Sequence, residues 1–393
     1  MQDVVIAGGV RTAIGSFQGS LRDKSPTDLG TIVVSEALRR AEVDPAEVGH
    51  VVFGNVIHTE PKDMYLSRVS ALGAGIPKET PAMTLNRLCG SGIQAVVSAA
   101  QMIALGDAEI AVAGGAECMS RAPHSTQAIR SGSKMGDMAL QDMMLGALND
   151  PFGAGHMGIT AENIAEQWQI SRAEQDLFAA ESQRRAGQAI AEKRFTSQII
   201  GIEVRKGREI TLFDTDEHPK PGVTADSLAT LKGAFRKDGT VTAGNASGIN
   251  DGAAAVVLMS AKRAARENRK PLARIVAYAH AGVEPSLMGI GPVPAVRKLF
   301  ERTGLTVGDF DVIESNEAFA AQACAVIKDL GLPEDRTNPN GGAIALGHPV
   351  GATGAIILVK ALYELQRIGG RRALCTMCIG GGQGIALAIE AAD

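Results

Sequence analysis

The chain has 393 residues, 45% of them hydrophobic and 21% charged, so it is long enough for two or three units with a sizeable buried core. Its net charge of −4 gives no electrostatic reason to expect nucleic acid or an anionic membrane as a partner, and no apolar run has the length that we expect of a membrane span. Five cysteines do not resemble a disulfide framework, and a strand begins at Val4 without a preceding leader, so we expect a soluble cytoplasmic protein.

The first 118 residues alternate between strand-like and helix-like patterns. Apolar runs predict strands, and 3.6-residue periodicity predicts helices. The predicted strands cover 3–9, 49–56 and 107–116, with a further strand before Cys89, and helices are predicted from Thr27, over 64–72 and after Cys89. This alternation predicts an α/β fold with a parallel sheet.

Residues 119–245 interrupt that alternation with a segment rich in Met, Gly and charged residues. Helical patterns are visible at 160–168 and 171–193, so we interpret the segment as an inserted, loop-rich region of the kind that often carries function. Residues 240–260 then predict a loop, the start of a helix and a strand.

The pattern of the first part returns from residue 272. VGHVVFGNV corresponds to VGDFDVIESN, and the stretch from NRLCGSGIQA to AVAGGAE corresponds to the stretch from GHPVGATG to CTMCIGGGQ. We infer an internal duplication of a βαβ unit, with the two halves packed face to face. Cys89 and His348 then occupy equivalent turns before equivalent helices, where a pseudo-two-fold axis would bring them together.

Glycines surround His348 in the motif NPNGGAIALGHPVGATG at 338–354. Glycine permits close backbone approach, and Pro349 biases the His348 backbone away from helix, so this loop is expected to be stiff. Cys378 ends an apolar run that meets the glycines of CTMCIGGGQG. No GxGxxG opens a helix after the first strand, which argues against a dinucleotide site. The pattern instead indicates part of an acyl-transfer site.

Six stretches together resemble the thiolase family, and they span almost the whole chain in the order that this family has. They are NRLCGSGIQA at 86–95, HMGITAEN at 156–163, TVTAGNASGINDGAAA at 240–255, SNEAFAAQ at 315–322, and the two motifs at 338–354 and 375–384. The resemblance implies two duplicated halves in a five-layered α/β/α/β/α arrangement. The halves would be 1–118 with 246–270, and 271–393, and 119–245 would form an inserted loop domain for tetramerisation and coenzyme A (CoA) binding.

Cys89 is the candidate nucleophile. It begins a helix, and a helix N-terminus stabilises a thiolate, so we expect a lowered thiol pKa. His348 would take its proton as general base. A lone Cys is more often a small buried apolar residue, and a lone His in a loop more often forms hydrogen bonds to nearby carbonyl groups. The equivalent turns that carry Cys89 and His348 favour catalytic roles for both.

Cys378 resembles the second cysteine of the family, which acts as an acid and base on the proton at the α-carbon of the attacking acyl-CoA. The alternative is half of a metal or redox pair with Cys375. A zinc site needs further ligands at a fitting spacing, and a thioredoxin-type pair opens a helix, whereas this pair closes a strand. Strand alternation also places Thr376 and Cys378 on one face and Cys375 on the other.

The oxyanion holes are expected from the resemblance. Asn316 would hold a water that joins His348, although helix capping is its simpler role. The backbone N–H groups of Cys89 and Gly380 would form a second hole, since glycine leaves a backbone donor unobstructed. The implied reaction is a reversible ping-pong Claisen condensation of two acyl-CoA molecules through acyl-Cys89. CoA is a substrate here, and no cofactor or metal is expected.

Contacts to substrate are also expected from the resemblance, and each has a structural alternative. Met and Phe at helical spacing are often core residues, and exposed basic residues are often only solvated. The match to the family departs where this chain has KGAF at 232–235, which affects nucleotide binding rather than chemistry. The candidates for the acyl and pantetheine pocket are Ser247, His156, Met157, Phe319, Met288, Ala318 and Phe235, and those for the CoA phosphates are Lys220 and Arg208.

Two other functions are compatible with part of this pattern. A β-ketoacyl-carrier-protein synthase has the duplicated fold and a nucleophilic Cys, but typically has a second His where this chain has Asn316 or Cys378. A non-catalytic acyl carrier would be expected to lack at least one of Cys89, His348 and Cys378. The resemblance further implies a homotetramer built from two dimers, a sheet edge near 84–88 at the dimer contact, and a place in fatty acid or polyhydroxyalkanoate metabolism. It leaves acyl chain length and the dominant direction open.

Overall fold

The computed structural model describes residues 2–392. The strands are β1 Val4–Thr12, β2 Gly15–Ser16, β3 His50–Gly54, β4 Ala82–Leu85, β5 Ile110–Cys118, β6 His124–Ser125, β7 Gln141–Asp142, β8 Asn149–Asp150, β9 Gly155–His156, β10 Ile199–Ile200, β11 Ile202–Lys206, β12 Glu209–Phe213, β13 Asn250–Ser260, β14 Ala273–Gly282, β15 Val312–Ser315, β16 Arg372–Ile379 and β17 Gln383–Ala391.

The helices alternate with these strands in both halves. They are α1 Pro26–Arg40, α2 Leu66–Gly73, α3 Ser91–Leu105, α4 Ala128–Ser131, α5 Met143–Leu148, α6 Met157–Gln167, α7 Arg172–Ala191, α8 Ala225–Ala229, α9 Ala261–Arg266, α10 Pro292–Thr303, α11 Ala320–Leu330, α12 Ala343–Leu346 and α13 Val350–Ile368. Short 3₁₀ turns occupy Pro45–Glu47, Pro61–Tyr65, Met119–Arg121, Pro285–Ile290 and Val307–Asp309.

The main sheet has the strand order β15-β16-β17-β14-β1-β13-β5-β3-β4, with β2 and β10 attached to its side. Strands β13, β5, β3 and β4 of the first half continue into β14 to β17 of the second half through a short β1–β14 contact. The expected parallel pairing is found for β3 with β4 and β5, for β15 with β16, and for the short strand β10 with β1. The long central pairs are antiparallel, so the sheet is mixed.

Helices α3 and α13 lie between the two halves and pack on each other. Helix α3 covers β3 and β5, whereas α13 covers β13, β5, β15 and β16, with α1 and α10 on the outer faces. The two middle helices approach so closely that a Cβ on Gly92 would lie 2.4 Å from Ala355 N, and one on Gly354 would lie 2.4 Å from Ile93 N. Only glycine permits this backbone contact.

Helix α3 also corrects one expectation. Its stretch 88–105 has the length and apolar composition that could cross a membrane, although no such run was expected. Most of its apolar residues are buried where α3 packs on β3, β5 and α13, and Leu105 at its end is exposed. The same composition is typical of a core helix.

The inserted segment lies between β5 and β13 and carries α4 to α8 with short hairpins. Ser25 and Ser171 show why α1 and α7 start where they do, because each forms a capping box with the residue three positions later. The predicted helix start inside 240–260 is wrong, since a loop leads directly into β13. A buried ion pair of 2.7 Å between Arg11 of β1 and Asp216 connects the inserted segment to the main sheet.

Candidate active site

A cavity of about 60 Å³ opens where loops of both halves and the inserted segment meet. Its wall is mostly apolar, with two thiols and one imidazole among the lining groups. The lining residues are Val56, Leu88, Cys89, Ala147, Leu148, Met157, Ser247, Met288, Ala318, Phe319, His348, Val350, Cys378 and Gly380. Nine of the fourteen candidate residues named from the sequence therefore line one small cavity.

Cys89 lies at the tip of a strained turn before α3. Leu88 has a φ of +44°, which is unusual for a residue with a branched side chain. The turn is held because Leu88 N donates to Asn86 Oδ1 at 2.8 Å, while Ser91 Oγ donates to Leu88 O at 2.7 Å. The thiol is thereby presented to the cavity at the helix N-terminus.

The expected lowering of the Cys89 pKa is not what the site produces. Burial raises the pKa of Cys89 to about 11, and the negative charge of Glu117 acts in the same direction. Hydrogen bonds from the backbone N–H groups of Gly380 and of Cys89 itself favour the thiolate but do not outweigh desolvation. Cys89 is therefore a thiol at neutral pH in the resting site.

His348 is held by hydrogen bonds to its backbone and to one of its two ring nitrogens. Its backbone N donates to Asn250 Oδ1 at 2.9 Å, and its Nδ1 lies 2.8 Å from Thr353 Oγ1. The Thr353 hydroxyl donates its one proton to Pro349 O, so it accepts from His348 Nδ1–H. The lone pair is then on Nε2, which is buried and has no protein partner.

Burial also lowers the pKa of His348 to about 4, so the ring is neutral at neutral pH. A neutral imidazole with a free Nε2 can accept a proton from a thiol in the same cavity. The cavity therefore holds Cys89 as an uncharged thiol together with His348 as an uncharged base.

Cys378 is the penultimate residue of β16 and lines the same cavity. Burial, followed by the charge of Cys89, raises the pKa of Cys378, so it too is a thiol at rest. Cys375 points to the other face, with its Sγ 3.8 Å from Ile357 O. Within residues 2–392, no group of three or more His, Cys, Asp or Glu side chains is placed to hold a metal ion.

Gly380 follows Cys378 and lines the same cavity. A Cβ at this position would lie 3.0 Å from Met157 Cε and 3.2 Å from Leu88 Cδ1. Both neighbours would have to move to accommodate it. Glycine therefore keeps the Gly380 N–H accessible beside Cys89.

Asn316 lies outside the lining of this cavity. It does not cap a helix, because α11 begins at Ala320 with Phe319 as its N-cap, so the capping expectation is wrong. Its backbone N bonds to Thr376 O at 3.0 Å, but both polar atoms of its side chain are buried without a protein partner. They border a smaller adjoining cavity of about 10 Å³, which is a size that holds one water molecule.

The predicted acyl and pantetheine contacts divide into two groups. Ser247, Met157, Met288, Ala318 and Phe319 line the cavity, and Ser247 N bonds to Ala318 O at 3.0 Å. His156 and Phe235 lie behind that wall as a stacked pair with ring centroids 4.7 Å apart. Phe235 in turn meets Phe319 edge to face at 6.1 Å, so these two rings support the wall.

The basic candidates lie away from the cavity. Lys220 borders a separate cleft beside α7, where its backbone N bonds to Gln183 Oε1 at 2.9 Å. Arg208 is exposed between β11 and β12. Neither lines the cavity that holds Cys89.

Several residues of the site were not identified from the sequence. Thr353 and Asn250 orient His348 through hydrogen bonds. Both lie in the motifs at 338–354 and 240–255, where a polar side chain that could bond to His348 is a signal visible in the sequence. No local signal indicates the apolar wall residues, since Val56, Leu88, Ala147, Leu148 and Val350 resemble any core residue.

Comparisons with known proteins agree over the whole chain. Residues 4–262 match the family model described as thiolase, N-terminal domain, and residues 269–391 match thiolase, C-terminal domain. Beta-ketothiolase BktB of Cupriavidus necator is 61% identical over 392 residues, which cover 99% of each chain.

Solved structures give the same result. The acetyl-CoA acetyltransferase of Bacillus anthracis superimposes with a TM-score of 0.97 at 46% identity, covering 100% of this chain and 99% of that one. Human mitochondrial 3-ketoacyl-CoA thiolase in complex with CoA has a TM-score of 0.96 at 44% identity, with 99% of this chain and 98% of that chain covered.

Proposed function

The chain belongs to the thiolase family, and from this we propose that it transfers acyl groups through a thioester on Cys89. It is an acyl-CoA acyltransferase that condenses two acyl-CoA molecules to a 3-ketoacyl-CoA and CoA, and it cleaves the same product by thiolysis. The predicted thiolase fold is confirmed. The observation that carries the proposed mechanism is the cavity shared by Cys89, His348, Cys378 and Gly380.

In the first half-reaction, Cys89 Sγ attacks the thioester carbonyl while His348 Nε2 takes the thiol proton. The N–H groups of Cys89 and Gly380 stabilise the oxyanion. The bond to CoA breaks, and the leaving thiolate takes the proton of Cys378. The products are acyl-Cys89, free CoA, a Cys378 thiolate and a protonated His348.

In the second half-reaction, the Cys378 thiolate removes a proton from the α-carbon of a second acyl-CoA. The protonated His348, with a water held by Asn316, stabilises the enolate oxygen. The carbanion attacks acyl-Cys89, so a carbon–carbon bond forms and the Cys89–acyl bond breaks. Cys89 recovers its proton from His348, and every group returns to its resting state.

Acylation keeps Cys89 uncharged during this step. A Cys89 thiolate would raise the pKa of Cys378, but acyl-Cys89 cannot ionise. The Cys378 thiolate therefore meets no repulsion from Cys89 while it waits for the second substrate.

CoA binding is proposed at the mouth of this cavity. Ser247, Met157, Met288, Ala318 and Phe319 would contact the pantetheine and acyl parts, with His156 and Phe235 as their support. A CoA complex of the human enzyme supports CoA as the bound group. The phosphate contacts of Lys220 and Arg208 stay predictions, and so does a cytoplasmic location.

The division into domains also stays a prediction. It has one half formed by 1–118 with 246–270, a second half at 271–393, and a loop domain at 119–245.

The direct test is thiolysis of 3-ketoacyl-CoA by the wild-type protein and by Cys89→Ser. We expect the substitution to lower kcat by at least about 10³-fold, because the alcohol is a much weaker nucleophile at this position. Cys324→Ser is the matched control, since Cys324 is a half-buried cysteine of α11 outside the cavity. Full activity of Cys89→Ser would contradict the acyl-Cys89 mechanism.

A further inference from the structure

Glu117 is a buried carboxylate that the proposed mechanism does not use. It lies at the end of β5 with no exposed surface. Its Oε1 accepts from Asn55 Nδ2 and Ile57 N, both at 3.0 Å, and its Oε2 accepts from Val56 N and Gly351 N, both at 2.9 Å. One carboxylate thus joins the loop after β3 to the first turn of α13.

The bonding pattern requires the ionised form. Burial raises the pKa of Glu117 to about 8, yet all four of its partners are N–H donors. A carboxylic O–H in this place would find no acceptor and would displace one of these donors. The anion is also favoured by the positive end of the α13 helix.

Strand register identifies Glu117 as the counterpart of Cys378 in the duplicated fold. Each residue lies on the second of two parallel strands, two positions after the last residue paired with the first strand. Those last pairs are Gly54 with Gly115 in β3 and β5, and Ser315 with Thr376 in β15 and β16. By the same count, Asn55 corresponds to Asn316.

The two positions face equivalent targets across the pseudo-two-fold axis. Cys378 faces Cys89, which precedes α3, whereas Glu117 binds Gly351 in the first turn of α13, directly after His348. A Cβ on Gly351 would lie 2.5 Å from Glu117 Oε2, so glycine is needed for this contact. One half presents a thiol at this position, and the other presents an anchor.

The first turn of α13 connects this anchor to the imidazole. Pro349 O accepts from Ala352 N, Thr353 N and the Thr353 hydroxyl, each at 2.9 Å. Thr353 Oγ1 in turn holds His348 Nδ1. A displacement of Gly351 would therefore move the groups that orient His348.

We propose that Glu117 is a positioning residue whose carboxylate, by holding the first turn of α13, sets the location of His348 against Cys89. This inference rests on the function proposed above. It assigns a structural use to this position in the first half, whereas the equivalent position in the second half carries the thiol of Cys378.

The test compares Glu117→Gln with the wild type. Glutamine keeps the shape but turns an NH2 group toward two N–H donors, so the anchor loses bonds on one side. We expect kcat for thiolysis to fall about 10- to 100-fold, with KM changed less than about threefold, because misplacement of a general base slows chemistry rather than binding. Hydrogen exchange followed by mass spectrometry should show faster exchange in the peptide that contains His348 and Gly351.

Asp63→Asn is the matched control. Asp63 is also fully buried near Glu117. All of its side-chain hydrogen bonds are accepted by one oxygen, Oδ2, from Thr59 and Glu60, so the single amide oxygen of asparagine can accept them too. This variant should keep wild-type kcat and exchange. Assays are run well below the measured Tm of each variant, and Glu117→Asp, which keeps the charge but cannot reach all four donors, replaces Glu117→Gln if the latter does not fold.

Three results would overturn the role of Glu117. They are a kcat of Glu117→Gln within twofold of the wild type, a change in KM alone, or unchanged exchange at His348 and Gly351. Failure of the proposed function is distinguishable, because the wild type and Asp63→Asn would then both be inactive in thiolysis, while the exchange measurement would still decide on Glu117.

Discussion

The imidazole of His348 has one proton and one lone pair to place, and its neighbours decide where each goes. Thr353 Oγ1 accepts a hydrogen bond from Nδ1–H, because the hydrogen of its own hydroxyl is donated to Pro349 O. Desolvation keeps both His348 and Cys89 neutral at rest. In the proposed mechanism this pair becomes charged only when the thioester is attacked, and the N–H groups of Cys89 and Gly380 would stabilise the oxyanion.

Removal of the Thr353 hydroxyl should expose this dependence. Thr353→Val keeps the volume but leaves Nδ1–H without an acceptor, so the wrong tautomer becomes accessible. We expect kcat for thiolysis to fall about 3- to 10-fold, the cost of one buried hydrogen bond, with little change in KM.

Thr353→Ser is the control, since serine retains the hydroxyl and should stay within about twofold of wild-type kcat. Equal kcat values for the valine and serine variants would show that Thr353 does not orient His348. Steady-state thiolysis at pH 7 measures both.

At the scale of elements, two loops and the helices that follow them position Cys89 and His348. Cys89 and His348 each precede a helix of the middle layer by two residues, and α3 and α13 pack with backbone contact at Gly92 and Gly354. Their close approach holds the two helix N-termini in a defined relation. The chemistry therefore depends on the packing of a helix pair and not only on the loops.

Gly354→Ala should disturb that packing. Its Cβ would lie 2.4 Å from Ile93 N, and backbone cannot move aside as a flexible side chain can. We expect the free energy of unfolding to fall by about 1–3 kcal/mol, together with a loss of activity. Denaturant unfolding at one fixed protein concentration measures the change.

Gly187→Ala supplies the matched comparison within a helix. Nothing lies within 4 Å of a Cβ at Gly187 in α7, so alanine should raise stability by about 0.5–1 kcal/mol through helix propensity. Equal effects of the two substitutions would show that the α3–α13 contact is not tight.

At the scale of the whole molecule, the inserted segment exposes large apolar side chains. Ile129, Met135 and Leu140 are 72%, 94% and 62% exposed in the single chain. Several exposed large apolar side chains within one inserted segment are typical of a contact surface between subunits. It supports the proposed tetramer, while the exposed edge of β4 supports the proposed dimer contact near 84–88.

Replacement of these three residues by serine should therefore reduce the sedimentation mass from four chains of 40.8 kDa to two. Activity per chain should stay within about twofold, since the site is built within one chain. Ile210→Ser, at another exposed apolar position on β12, should leave the mass unchanged. A wild-type mass of one or two chains would refute the tetramer.

The six motifs, among them the glycine-rich stretches around Cys89, His348 and Cys378, together predicted the family, the fold and the acyltransferase activity, all of which are confirmed. Errors arose where a local pattern was extended to a tertiary property. The SNEAFA pattern predicted a cap at Asn316, but α11 begins only at Ala320, with Phe319 as its N-cap. The βαβ pattern predicted parallel strands, but β13 returns antiparallel between β1 and β5.

Sequence by itself determined which groups are available for chemistry, because side-chain type and glycine spacing are local properties. Only the tertiary structure decided their protonation and partners. The pKa values of Cys89 and His348 follow from desolvation by residues distant in sequence, and Glu117 receives donors from both halves. Burial and long-range hydrogen bonds arise from packing, and packing is a property of the folded chain rather than of any one segment.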